Sequence, residues 1–329
     1  MRYRIRHLTR YDYAEVVTLS QNLAHLAPRS DGRVLVTSYR LEVEPGPSMV
    51  RARIDYFGNR TDAFVITAPH RQLMVTSHAE VQVLAPAPPS PELTPPWDGS
   101  EVQGGGTEVD AWEFRFDSTL IPCAADLAAY ARPDFTPSRP ILAAALALTI
   151  RMHREFAYDP SATTAATPVL DALELRRGVC QDFAQVLIGC LRTLGIPARY
   201  VSGYLETIPP PGRPRLVGAD ATHAWVQAWC GAVVGWVDLD PTNACIPGDR
   251  HIPVAYGRDF SDVSPLKGMV LGGGRAEVTV GVDVEPVDGH RHDEASPASS
   301  EASAPAAIPV PGSGSHADPA DGRPDGSGV

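Results

Sequence analysis

The chain has 329 residues, 43% of them apolar and 20% charged, with a formal net charge of −11 at pH 7. This excludes a chain disordered throughout and a basic surface made for nucleic acid, and the length allows two domains of ordinary size. The most apolar run, Ile141 to Ile150, falls well short of the roughly 20 residues that a bilayer-spanning helix needs.

The N-terminus, MRYRIRHLTRYDY, is charged throughout and has no apolar leader segment, so the expected location is cytoplasmic. From residue 1 to about 85 the pattern is a series of short β-rich runs: YRIRHL, VLVTSYRLEVE, MVRARIDYFGNRTDAFVI and QLMVTSHAEVQVL. Alternation is clearest at Leu73, Val75, Ser77, Ala79, Val81 and Val83, and Gly58-Asn59 falls where a hairpin would turn. A small antiparallel β-sandwich is expected here. Residues 86–110 are rich in proline and then carry Gly104 to Gly106, which reads as a linker.

Residues 111–286 read as a second, α+β domain, with helices first and strands after. Ser138 and Pro140 signal the start of a helix through ILAAALALTIRMHREF, and Thr167-Pro168 signal a second through VLDALELRR. A third, CQDFAQVLIGCLRTL, carries Phe183, Leu187, Cys190, Leu191 and Leu194 on one face and stops at Gly195, with Pro197 beyond. The expected strands are ARYVSGYLE, HAWVQAWC, VGWVDLD and AEVTVGVDVEP. Residues 287–329 are dominated by Ala, Gly, Pro and Ser without an aromatic residue, and a disordered tail, dispensable for activity, is expected.

The five cysteines, Cys123, Cys180, Cys190, Cys230 and Cys245, are odd in number and widely spaced, which fits neither a disulfide framework nor a zinc ribbon. Cys180 opens the third helix, where unpaired backbone N–H groups and the helix dipole favour a thiolate. The alternative for Cys180 is a buried apolar cysteine, and Asp182 nearby opposes a lowered pKa. An acylating thiolate needs a base and a group to orient it. His223 begins one expected strand and Asp240 ends the next, and a tight turn through Gly231-Ala232 would make them neighbours. Asp238 rivals Asp240 for the orienting role, with a solvent-facing strand position as its expected place.

The three segments GVCQDFA, THAWVQAW and GWVDLDPTN, in the order Cys, His, Asp, resemble the motifs of the bacterial transglutaminase-like superfamily, whose bacterial members are often described as candidate cysteine proteases. HIPVAYGRDFSDVSPLKGMVLGGG at 251–274 resembles the segment that follows the Asp motif in those members, and residues 1–85 resemble their β-rich N-terminal domain. The resemblance implies a papain-like core with Cys180 as nucleophile, His223 as base and Asp240 as orienter. It also implies attack on a peptide or glutamine amide through a thioester; the Cys180 N–H, at the helix start beside the attacking sulfur, is the expected oxyanion donor.

Hydrolysis is the preferred outcome, with amine transfer (protein crosslinking) or a non-catalytic peptide-binding scaffold as the alternatives. Lys267 is the only lysine, so self-crosslinking could use only that residue and the N-terminal amine. Trp225 and Trp236 fit core packing or a second oxyanion contact; Arg258, Asp259 and Asp262 fit a cleft wall or a solvated loop. Cys180, Cys190, Cys230, Cys245, His223 and His251 are zinc-ligand types at spacings wrong for a zinc knuckle, and neither DLDPTN nor GRDFSDV is an EF-hand loop. No cofactor is expected. The expected partner is a protein or peptide substrate, with no nucleic acid or membrane.

Overall fold

A computed structural model describes residues 1–84, 87–99, 102, 109–207 and 221–287. The tail expected beyond residue 287 and the triple glycine of the expected linker lie outside the described residues. The first five strands are β1 (Arg2–Ala24), β2 (Val34–Glu44), β3 (Met49–Ile54), β4 (Arg60–Ile66) and β5 (His70–Val83). Next come α1 (Val109–Trp112), α2 (Ala125–Ala131), α3 (Ile141–Glu155), β6 (Ala157–Tyr158), α4 (Val169–Leu175), β7 (Arg177–Gly178) and α5 (Cys180–Thr193). The chain closes with β8 (Ala198–Leu205), β9 (Ala221–Trp229), β10 (Trp236–Leu239), β11 (His251–Gly257), α6 (Phe260–Val263), β12 (Leu266–Gly272) and β13 (Ala276–Pro286).

The β-rich region is organised by β1, which extends far beyond the YRIRHL segment that the sequence marks. Its first half pairs with β5 on one edge and β13 on the other; its second half pairs with β4 and β12. With β2 beside β5 and β3 beside β4, these form a seven-stranded antiparallel sheet. Strands 266–272 and 276–286, which the sequence reading assigns to the second domain, therefore lie in the first sheet. The reason is local: Gly272, Gly273 and Gly274 have φ of 90°, 85° and 59°. These let the chain leave β12 and rejoin the same edge of β1 as β13. A Cβ on Gly272 would lie 2.4 Å from the Val16 carbonyl oxygen, and the left-handed backbone costs an L-residue about 1–2 kcal/mol.

The second sheet has the order β10-β9-β8-β11 and is antiparallel throughout. Helix α5 packs against β9, and α2, α3 and α4 surround α5. Nearly every residue of α5 is buried, not only the expected apolar face, because helices cover the side away from the sheet. Ser138 does not cap α3: it has φ 60°, and the first free N–H groups of the helix go to Thr94 and Pro95 instead. Part of the proline-rich segment thus serves as a helix cap.

The two sheets share one apolar core: Tyr3, Ile5, Val81, Val282 and Val284 of the first pack in the same cluster as Val226, Leu187 and Ile252. Polar contacts join them as well. The Asn59 side chain, at the β3–β4 turn that the sequence marks, donates to the Tyr256 carbonyl and accepts from the Tyr256 N–H, each at 2.8 Å, so it acts as a strand partner for β11.

The role of β13 in the first sheet gives a direct test. Deleting 276–329 strips an edge of β1 and removes buried Val282 and Val284, worth about 1.5–3 kcal/mol each before the ladder is counted, against a usual stability of about 5–15 kcal/mol. We expect this deletion to abolish the cooperative thermal transition, whereas deletion of 288–329 leaves it in place. A normal melt without β13 would contradict the assignment.

Candidate active site

Cys180 is the first residue of α5, where its backbone N–H has no acceptor within the helix. The helix start is fixed by Asp182, whose Oδ2 accepts from the Val179 N–H at 2.8 Å and from the Thr163 hydroxyl at 2.6 Å. The backbone of Gly178 runs so close to that carboxylate that a Cβ would lie 2.3 Å from Oδ2. The segment GVCQD is therefore a compact cap that turns the Asp182 charge back toward backbone and hydroxyl donors. Burial raises the Asp182 pKa, opposed by the hydrogen bonds from Thr163 and Val179.

His223 stands on β9 opposite Gly203 of β8. Its Nε2 donates to Asp240 Oδ2 at 2.8 Å, and the Cys180 side chain is a hydrogen-bond partner of the same imidazole. Burial alone would lower the His223 pKa, but Asp240, by charge and hydrogen bond, together with Cys180, pushes it up to about 10. Cys180 and His223 are each 7% exposed and Asp240 is 0% exposed, so a reacting group can touch the first two while the carboxylate stays dry.

Asp240 lies just beyond β10, in a turn that it holds itself: Oδ1 accepts from the N–H groups of Thr242 and Asn243 at 2.9 and 3.1 Å. Its Oδ2 takes two further donors, Asn243 Nδ2 at 2.7 Å and His251 Nε2 at 3.0 Å. Burial would raise the Asp240 pKa, but His223 and His251 hold it far below the usual carboxylate range. Burial lowers the His251 pKa below its ordinary value, against the pull of Asp240. Among the described residues, His223, Asp240 and His251 are a group of metal-ligand types, their ligand atoms within 4.8 Å of one another. Both imidazole Nε2 atoms lie at hydrogen-bond distance from Oδ2.

The profile of the bacterial transglutaminase-like N-terminal region matches residues 3–82, and that of the transglutaminase-like superfamily matches residues 129–241, a span that includes Cys180, His223 and Asp240. An uncharacterized protein of Mycobacterium tuberculosis is 40% identical over 295 residues, covering 88% of this chain and 94% of that protein. The chain belongs to the transglutaminase-like superfamily. A solved structure of a candidate cysteine protease from Cytophaga hutchinsonii has the same fold, with a TM-score of 0.69 at 22% identity, covering 88% of this chain and 92% of that one. A protein-glutamine gamma-glutamyltransferase of Pseudomonas aeruginosa is 34% identical over 109 residues, which is 31% of this chain and 16% of that enzyme.

Within this transglutaminase-like core, the other side chains weighed from the sequence take the following places, and of these Asp238 departs from expectation. Asp238 is not a solvent-facing strand carboxylate: it is buried, accepts from Trp225 Nε1 at 2.6 Å and Gln227 Nε2 at 3.1 Å, and pairs with Arg33 at 3.0 Å. Trp225 gives its indole N–H to that bond, which removes it as an oxyanion donor. Asp259 caps α6 through the Ser261 N–H and holds the Leu120 N–H at 2.8 Å, and Arg258 pairs with Asp262 at 2.9 Å. Cys190 and Cys230 are core residues at 0% exposure.

Two neighbours of the site were not singled out from the sequence. Asn243 is the last residue of GWVDLDPTN, and an Asp-Pro-x-Asn turn was a usable signal for it. Tyr158 of β6 pairs with Gly178, two residues before Cys180; burial, then the charges of Cys180 and Asp182, push its phenol up to about 12. Its short strand carries no period that would have marked it.

The raised His223 pKa fixes the sign of a pH effect. The contribution of the His223–Asp240 pair to stability is complete below the ordinary imidazole value of 6.5 and drains away as pH rises through about 10. Seen from Asp240, it is lost in acid as the carboxylate takes its proton. Followed by imidazole NMR, one histidine should keep its proton to about pH 10, and in Asp240→Asn its midpoint should fall toward 6.5. A wild-type protein with every histidine titrating at or below 6.5 would contradict this geometry.

Proposed function

We propose that this protein is a thiol enzyme that cleaves peptide or glutamine amide bonds, with Cys180 as nucleophile, His223 as proton carrier and Asp240 as the carboxylate that orients it. The observation that carries the reading is the position of His223, bound through Nε2 to a fully buried carboxylate and partnered with the thiol at a helix N-terminus. With its proton held by His223, the Cys180 thiolate adds to the amide carbonyl while the Cys180 backbone N–H stabilises the oxyanion. His223 then protonates the departing ammonia or amine as the C–N bond breaks, leaving a thioester. Water adds to the thioester as His223 takes its proton, and the C–S bond breaks to release the carboxylic acid and restore the Cys180 thiolate beside protonated His223.

Water, as the solvent, is the default acceptor, whereas transfer requires a second site that holds a neutral amine beside the thioester. The acidic side chains next to the thiol and the imidazole are both committed, Asp182 to Val179 and Thr163 and Asp240 to the two histidines. The second reading, amine transfer, is favoured by the likeness of part of this chain to the Pseudomonas gamma-glutamyltransferase.

A glutamine-bearing protein and a dansylated alkylamine, supplied together, separate the two. We expect ammonia or peptide release without comparable label incorporation, loss of that activity in Cys180→Ala, and a fall on the order of 10⁴ in turnover for Asp240→Asn. Incorporation that outruns hydrolysis would make the enzyme a transferase. Undiminished activity in Cys180→Ala would overturn the thiol mechanism.

A further inference from the structure

The connection from β1 to β2 reaches the second sheet close to the candidate site. Asp31 shapes it, with Oδ1 accepting from the Val34 N–H at 3.2 Å and its other oxygen taking the Tyr256 hydroxyl. The Arg33 carbonyl accepts from the Leu84 N–H at 2.7 Å, so the arginine is held from both sides. Its guanidinium then crosses to the second sheet, where Nη1 lies 3.0 Å from Asp238 Oδ2, with the two side chains 18% and 9% exposed.

The other oxygen of Asp238 holds the Trp225 indole at 2.6 Å. Trp225 is fully buried and pressed against the backbone of Gly203, where an added Cβ would lie 2.4 Å from the ring. Its free face stacks on His223, with ring centroids 6.1 Å apart and planes at 30°, and it meets His251 edge-on at 5.3 Å. Gly203 is also the residue opposite His223 in the β8–β9 ladder. The indole has no slack on its Gly203 side, so a displacement passes to its ring neighbours His223 and His251 as well as to Val201 and Tyr256.

We propose that Arg33, from the β-rich N-terminal region, is a positioning residue for the Cys180–His223 pair, acting through Asp238 and Trp225. The inference rests on the reading of those two residues given above and extends it by assigning the N-terminal sheet a part in the chemistry. A clamp that only joined the two sheets would have its donors satisfied, yet Arg33 Nη2 is buried without a hydrogen-bond partner among the described residues. An unsatisfied buried guanidinium nitrogen detracts from stability. Asp238, in turn, would be left as an unpaired buried carboxylate if the arginine were removed, and its hold on the indole would change with its charge.

The test uses the full-length protein and needs no substrate: the rate of Cys180 alkylation by iodoacetamide, read by peptide mapping across pH, alongside thermal melting. The variants are Arg33→Met, Arg33→Lys, Asp238→Asn, the Arg33→Met/Asp238→Asn double and His223→Ala as reference. Misplacement of a reacting pair costs about 10- to 100-fold, so Arg33→Met should slow Cys180 alkylation at neutral pH by that factor and move its pH midpoint toward that of His223→Ala. Arg33→Lys should recover part of the rate. The double variant, with no unpaired charge, should recover melting temperature but not the rate, a split that a purely structural role does not produce.

Wild-type rate and midpoint in folded Arg33→Met, or rate recovered in step with melting in the double variant, would overturn the inference and leave the proposed function standing. Should Arg33→Met fail to fold, Arg33→Lys and Asp238→Asn decide on the same readout, with wild-type rate and midpoint in both as the overturning result. If the wild type alkylates no faster than His223→Ala, the Cys180–His223 reading fails and takes this inference with it.

Discussion

One buried oxygen atom, Oδ2 of Asp240, accepts from three side chains carried by different parts of the chain: His223 on β9, Asn243 in the following turn and His251 on β11. A carboxylate removed from water costs several kcal/mol unless donors replace its hydration, and here they do so completely. Because β9 and β11 flank β8 on opposite sides, the same atom that orients the imidazole also ties the sheet across that strand. The arrangement of β8, with small Gly203 opposite His223, leaves the room that Trp225 fills beside both histidines.

Against this fixed carboxylate, α5 brings the thiol. Its first residue is set by the Asp182 cap and by the close pass of Gly178, its body by burial on nearly every side. The two halves of the site therefore depend on different physics. Cys180 is placed by helix-terminus hydrogen bonds, His223 and Asp240 by an antiparallel ladder and a self-capped turn. The first sheet braces the second through Asn59 on Tyr256 and Arg33 on Asp238, contacts that run between residues far apart in the chain.

That distance explains what the sequence disclosed and what it hid. The helix opening at Cys180, the strands of His223 and Asp240 and their pairing were legible because each depends on neighbours within one turn or one hairpin. Asp238 was misread because alternation places it correctly on its strand but cannot reveal that Arg33 would cover it. β11 reads as HIPVAYG, buried at every residue and so without the alternation that marks a half-exposed strand, and with it the place of His251 beside Asp240 stayed hidden. The membership of β12 and β13 in the first sheet was concealed in the same way: Gly272 to Gly274 signal a turn, while the edge of β1 that receives both strands lies at the other end of the chain.

The central claim, that His223 and Asp240 activate the thiol of Cys180, is tested most directly by setting exposure against chemistry in one labelling experiment. Cys123 is the exposed cysteine, yet burial of its thiol followed by the neighbouring Asp117 pushes its pKa up to about 11, while burial pushes Cys230 and Cys245 up to about 12 and Cys190 higher still. Limiting iodoacetamide, followed by peptide mapping of all five cysteines in the wild type and in Asp240→Asn, should mark buried Cys180 ahead of exposed Cys123 in the wild type and lose that preference in the variant. Labelling that follows exposure, with Cys123 first in both proteins, would contradict the account.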